Sequence, residues 1–179
     1  MKTVTVYHGS PKKFKQFNFS KIGTNGTSEG KGIYFTTNKS IASGYGQDGY
    51  LYTVKLHINK SLILNEKHLT KKQLKKLFLH LHELDEYHLS NYGDVDYYGL
   101  ERVLSDAVEM TFSDDCDVEM ISGIVNTIGS VETVNDALYK VLGYDSIVAV
   151  PDWQADKQTL YIALINDIIE IVDITPLSA

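Results

Sequence analysis

Gly30-Lys31-Gly32-Ile33-Tyr34-Phe35, with Tyr7-His8-Gly9-Ser10 ahead of it and Tyr45 eleven positions beyond Tyr34, is the stretch on which the reading of this chain turns. Glycines at 30 and 32 carry no Cβ and let main chain run close to a ligand. Ile33 to Phe35 reads as a short strand, and Tyr34 and Tyr45 offer two aromatic faces at separated positions. Such a set suits a flat, polar ring held between two tyrosines. Upstream, Val4, Val6 and His8 fall on one side of residues 2–8 and Thr3, Thr5 and Tyr7 on the other, the period of a half-buried strand. His8 therefore ends a strand at a glycine. Its imidazole can project from the sheet rim while Gly9 offers an N–H and a C=O with no side chain over them. Taken alone, His8 reads as a strand-end histidine bonded to a nearby carbonyl; the stretch downstream turns the reading toward a ligand.

Further along, residues 9–32 are polar and glycine-rich and read as loop. Gly23, Gly26, Gly30 and Gly32 there suit either a phosphate-facing, lid-like segment or a plain surface loop. Asn38 is a helix cap, followed by Ile41 and Tyr45 at i, i+4. Tyr50 to Ile58 is a strand, and Leu62 to Leu64 suits another. From Glu66 the period becomes helical: Leu69, Leu74, Leu77, Phe78 and Leu81 trace one face, Lys71, Lys72, Lys75 and Lys76 the other. Leu100 to Met110, Val118 to Ile128 and Val131 to Leu142 read as further helices, the last capped by Ser130 and stopped by Gly143. Strand patterns return over Ser146 to Val150, Thr159 to Ile165 and Ile168 to Ile174. The chain thus reads as one α+β domain: strands and loop over 1–65, a helical insert over 66–142 and C-terminal strands over 143–179.

The 179 residues suffice for one domain with a real core, and 43% hydrophobic against 22% charged content argues against wholesale disorder. A net charge of −6 disfavours non-specific nucleic-acid binding, which needs a basic surface. The single cysteine, Cys116, has no partner for an internal disulfide and suits a reducing compartment. No apolar run approaches the ~20 residues that span a bilayer, and Met1-Lys2-Thr3-Val4 runs directly into a strand rather than a signal sequence. A cytoplasmic location with no membrane partner is the expectation. His80, His82, Glu83 and His88 do not share one helical face, so they read as solvated side chains and no metal is expected.

Together, His8-Gly9-Ser10, the Gly30 to Phe35 stretch and the spacing of Tyr34 and Tyr45 resemble the NAD-binding half of ADP-ribosyltransferases of the His-Tyr-Glu class. That group contains the poly(ADP-ribose) polymerases and diphtheria-type toxins, and the compact form here is close to the transferase domains of phage and mobile-element polyvalent proteins. The resemblance implies a split β-sheet core with a helical insertion and NAD as substrate. It implies that His8 holds the adenosine ribose, that Gly9 main chain pairs with the nicotinamide carboxamide with Ser10 assisting, and that Gly32, Tyr34 and Tyr45 complete the NAD site. The serine that contacts the carboxamide in the polymerases aligns with Ala42, one residue from Ser43. The arginine-dependent class fits less well, because the only arginine, Arg102, lies in a helical region.

The third family element is replaced. A glutamate before a Tyr-hydrophobic-hydrophobic run contacts the nicotinamide ribose, and before Tyr161-Ile162-Ala163 that slot holds Leu160. Strand alternation puts Gln158, and Asp156 beyond it, on the side of Leu160. The catalytic set expected is therefore Asp156, Gln158 and Tyr45, with Asp152 next in line. The implied activity is mono-ADP-ribosylation of a macromolecule, in the first instance a protein, as a phage or mobile-element effector against host defence. The alternatives are a degenerate NAD- or protein-binding module, and an acidic inhibitor that uses Glu83 to Glu119 as a surface mimic.

Overall fold

Alternating β-branched residues build strand β1, Lys2–Ser10, with Val6 fully buried. Strand β2 is Ile33–Thr36. Helix α1, Lys39–Gly46, starts where the Asn38 side chain accepts the N–H groups of Ser40 and Ile41 at 3.0 and 3.2 Å. Strands β3, Tyr50–Ile58, and β4, Ser61–Ile63, follow. Helix α2, Lys71–Leu84, opens on a reciprocal capping box between Thr70 and Gln73 and buries Leu74, Leu77, Phe78 and Leu81. Helix α3, Val95–Tyr98, meets α4, Leu100–Thr111, at Gly99, whose φ of +83° suits glycine. A π-type turn spans Asp136–Val141, and strands β5, Ser146–Ala149, β6, Leu160–Ala163, and β7, Ile169–Pro176, complete the set.

The computed structural model describes residues 1–22, 32–63, 69–85, 88–112, 136–149 and 158–177. Gly23, Gly26, Gly30, Cys116, Ser130, Asp152, Asp156 and the helix expected over Val118 to Ile128 lie outside the described residues.

The fold is α+β. Seven strands form one mixed sheet in the order β4-β5-β6-β2-β1-β3-β7, antiparallel except for the β4–β5 pair. Its joints are unequal. β1 and β3 pair over nine residues, from Lys2 with Ile58 to Ser10 with Tyr50, whereas β1 and β2 share the single pair Tyr7 with Thr36. The sheet is thus a four-strand half and a three-strand half that barely touch, which is the physical content of the expected split. Two cores pack against the sheet, and the second draws on strands of both halves. Leu62, Ile147 and Ile162 pack against the buried face of α2 and α4. Val6, Phe35, Tyr52, Val54 and Tyr161 form a second cluster.

Asp145 ties the turn between β3 and β4 to the start of β5 and was not apparent from sequence. It is buried, and its carboxylate accepts the Asn59 N–H at 2.8 Å, the Lys60 N–H at 3.3 Å and the Ser146 hydroxyl at 3.2 Å. The Lys60 ammonium turns away, donating to the Leu142 carbonyl at 2.8 Å over the Tyr144 ring. Replacing Asp145 by Ala strands these donors, so urea unfolding should register a loss of about 3 kcal/mol. An unchanged midpoint would mean that water replaces the carboxylate at no cost.

Candidate functional site

His8 sits at the joint between the two halves. Its Nδ1 lies 2.8 Å from the Tyr34 carbonyl oxygen, and since a carbonyl only accepts, Nδ1 carries the proton. The side chain thus takes up a main-chain acceptor of β2 just where the β1–β2 ladder ends. With Nδ1 donating, the neutral ring presents its lone pair at Nε2, and His8 makes no other hydrogen bond among the described residues. Burial holds its pKa below the ordinary 6.5, and the bond to the Tyr34 carbonyl opposes that shift. At neutral pH Nε2 is therefore an acceptor.

Four aromatic rings surround the imidazole. Phe35 and Tyr52 belong to the sheet, with centroids 5.8 and 6.2 Å from His8. Phe17 and Phe14 come from the segment after β1, at 5.1 and 6.3 Å. The sequence reading has His8 projecting from an open rim; in the structure Phe14 and Phe17 fold over it. Residues 9–32, read as loop throughout, also hold a short 3-10 turn at Phe19–Lys21, capped by Asn18.

The other expected residues lie across the sheet. Successive strand side chains alternate, so His8, Phe35, Tyr52 and Tyr161 share one face while Gly9, Tyr34, Thr36, Leu160 and Ile162 share the opposite one. Helix α1 rests on that second face directly over Gly9, where a Cβ would stand 1.8 Å from the Ala42 carbonyl oxygen and 2.4 Å from the Gly46 nitrogen. Gly9 is thus required for packing, its Cα covered by α1. Gly32 is pressed likewise, with Ile162 Cγ2 2.2 Å from where its Cβ would be. Ala42 is buried in this contact and Ser43 donates to the Lys39 carbonyl at 2.9 Å, so neither presents a free hydroxyl above the sheet. Ser10 Oγ accepts the Lys12 N–H at 3.2 Å. Tyr45 is 61% exposed on α1, and Tyr34 is half-buried against the helical core. The structure therefore brings Gly9, Tyr34 and α1 with Tyr45 to one face and turns the His8 ring to the other, joined through the Tyr34 carbonyl.

At the far end of β2, Gln158 is buried and its Oε1 accepts the Thr36 hydroxyl at 2.5 Å, while Thr36 Oγ1 accepts the Asn38 N–H at 3.0 Å. Thr159 and Thr37 pair beside them. The amide at 158 thus serves as a clasp between β2, α1 and β6. Leu160, in the slot of the missing glutamate, packs on the helical core.

Two surface expectations change. His80 Nε2, His82 Nδ1 and His88 Nε2, read as solvated, are buried without a hydrogen-bond partner among the described residues, because the end of α2 folds back on the turn His88–Asn91 and sets His88 5.8 Å from Phe78. Among the described residues no group of His, Cys, Asp and Glu is placed to hold a metal ion. Within the acidic stretch, Glu109, Glu101 and Asp106 are paired with Lys71, Lys75 and Arg102 at 2.6, 2.7 and 3.8 Å, which blunts the negative surface a mimic would present. No helix of the described residues is long and apolar enough to cross a membrane.

The family model for ADP-ribosyltransferases in polyvalent proteins matches residues 2–166, and the chain belongs to that family. Among solved structures, the crystal structure of an anti-CRISPR protein is similar at 16% identity over 92% of this chain and 91% of that one, with a TM-score of 0.34 that is too low to bear on function. No curated protein matches the sequence.

The His8 environment predicts an acid sensitivity. The folded state resists protonation of His8, and of His88, whose pKa is likewise lowered by burial, with His82 adding to that shift and Asp85 opposing it. The unfolded chain takes up protons near 6.5 and the folded chain only at lower pH, so stability is complete above that value and declines as pH falls toward the folded pKa. Imidazole resonances followed by NMR should show both histidines titrating below 6.5; a His8 midpoint at or above 6.5 would contradict the desolvated, neutral ring.

Proposed function

We propose that the protein is a mono-ADP-ribosyltransferase that cleaves NAD and moves ADP-ribose to a protein acceptor. Family membership over residues 2–166 supports the reaction class. The observation that carries the site is the His8 arrangement: Nδ1 fixed by the Tyr34 carbonyl, Nε2 left as an acceptor for a ribose hydroxyl. On this reading the dinucleotide lies along the seam where β1 and β2 part. Its adenosine ribose meets His8, and its nicotinamide rests near Gly9, Ser10 and Gly32, between Tyr34 and Tyr45. On this reading the Tyr45 ring, 61% exposed, closes over the nicotinamide. The C–N bond to nicotinamide breaks with its electron pair leaving on nicotinamide, the ribose carbon bonds the acceptor nucleophile, and the nucleophile gives up its proton.

Positive charge builds on the ribose as nicotinamide leaves, and an aimed carboxylate stabilises that state more than the ground state. Gln158 is neutral and its Oε1 already accepts from Thr36, so we assign the charge to Asp156, with Gln158 holding the end of β2 in place. The family's setting in polyvalent proteins supports an effector role, and the unpartnered Cys116 suits a reducing cytoplasm. A second reading, an NAD-binding module without turnover, is favoured by Leu160, which fills the glutamate slot with hydrocarbon.

Incubation with labelled NAD and cell extract separates them: transferred label supports the enzyme, and bound but untransferred NAD the module. Tyr45→Ala should fold normally and weaken NAD binding about ten- to a hundredfold by calorimetry. Unchanged affinity would remove Tyr45 from the site. Asp156→Asn should cut turnover about a hundredfold or more with little change in NAD affinity. If Leu160→Glu instead creates NAD cleavage in an otherwise silent protein, the module reading is the correct one.

A further inference from the structure

The charge of the chain is divided unevenly. Residues 1–60 hold nine lysines against two carboxylates, Glu29 and Asp48, a net of +7, and the remaining residues carry the −13 that brings the total to −6. Within the basic part, Lys13 and Lys15 flank Phe14, whose N–H donates to the Tyr52 hydroxyl at 2.7 Å and whose ring stacks on Tyr52 at 4.2 Å. Both lysines are exposed, and neither meets a carboxylate among the described residues. Lys15 lines a slot of about 230 Å³ whose other walls are Gln16, Phe17, Asn166, Ile169 and Ile171. Lys13 sits 5.5 Å from the centre of the Tyr50 ring, and Tyr50 pairs with Pro176 at the far end of β7. The two lysines thus stand toward opposite ends of β7.

Strand β7 is itself a free edge. It is the last strand of the sheet, eight residues long, and no strand pairs with its outer side among the described residues. Main-chain groups on that side can take an added strand. Ile169, Ile171 and Ile174 register with Leu56, Val54 and Tyr52 on the face that carries His8, whereas Glu170 and Asp173 register with Lys55 and Thr53 on the opposite face. Asp167, in the turn beside Asn166, is the acidic residue that borders the slot.

We propose that the β7 edge and the slot beside it are a docking surface for a protein partner that adds an extended, acidic segment to the sheet, its carboxylates meeting Lys13 and Lys15 and one apolar side chain entering the slot. Phe17, Ile169 and Ile171 make a wall that suits hydrocarbon rather than phosphate, and Gln16 and Asn166 supply amides beside it. The net charge of −6 opposes a long polyanion, whose binding depends on neutralising many phosphates, whereas a short acidic segment needs only the two lysines. Phe17 also stands 5.1 Å from the His8 ring, so a docked partner lies next to the proposed NAD site. That this partner is the acceptor of ADP-ribose rests on the function proposed above, whereas the docking surface does not.

The probe is a fluorescein-labelled peptide in which glutamate alternates with threonine and a leucine replaces the central glutamate, followed by anisotropy on the full-length protein at low salt. Binding should saturate and should weaken as salt rises. Lys13→Glu combined with Lys15→Glu should weaken it about tenfold or more, and so should N-methylation of alternate peptide nitrogens, which breaks the added ladder. NAD affinity should stay the same in the charge-reversed protein; a parallel loss would assign the lysines to the dinucleotide and overturn the docking surface. Absence of saturable binding, or equal binding of a peptide with serine for every glutamate, overturns it too. Oligothymidylate bound as tightly as the peptide would replace the protein partner with a nucleic acid. If the peptide binds yet, in excess, leaves label transfer from NAD to extract proteins undiminished, the acceptor link falls and the surface stands. Peptide binding by a protein that transfers no label at all sinks the transferase reading and leaves the surface standing.

Discussion

A single side-chain hydrogen bond, His8 Nδ1 to the Tyr34 carbonyl, stands where a strand ladder stops, and much of the molecule is arranged around it. The four-strand half β4-β5-β6-β2 and the three-strand half β1-β3-β7 share the one pair Tyr7 with Thr36. A main-chain acceptor left unpaired at such a joint costs free energy unless some group meets it. Meeting it with an imidazole fixes the ring's tautomer and orientation. The joint is then reinforced from one side by α1, seated on Gly9 through Ala42 and Gly46, and from the other by the aromatic cluster.

The same arrangement explains the glycine. The sequence reading gives Gly9 an N–H and a C=O with no side chain over them, and in the structure a helix covers its Cα: with a Cβ at 9, α1 would have to move by more than an ångström against main-chain atoms. A packing role and a ligand role are compatible, because seating α1 this low is what carries Tyr45 to the face shared by Tyr34. Fold and proposed site rest on one contact.

Legibility in the sequence follows the range of the interaction. Local signals read well: the alternation of β1, the Asn38 cap, the apolar stripe of α2 and the stop at Gly143, whose φ is +74°. The pairing of His8 with the Tyr34 stretch was legible as a motif, but not that the two rings face opposite ways, since that depends on a register set by strands far apart in sequence. The path of Pro11–Asn18 depends on a hydroxyl thirty-eight residues beyond Phe14 and leaves no periodic trace. Asp145 answers main-chain donors eighty-five and eighty-six residues away, equally invisible to a local reading.

The departure at position 160 also has a physical logic. Leu160 is paired with Thr36 in the sheet and packs on the core built by α2 and α4. A carboxylate there would have to be desolvated beside hydrocarbon, at a cost that only a nearby cation or several donors would offset. The described contacts supply none: the two lysines of α2 that form ion pairs, Lys71 and Lys75, point to Glu109 and Glu101 on the helix surface. Two positions earlier the buried polar side chain is an amide already bonded to Thr36, so this end of β6 is built without a charge. Any negative group that steadies a cationic ribose must then come from outside the strand, which is why the chemistry of this chain, on the proposed reading, shifts from the strand itself to the residues that lead into it.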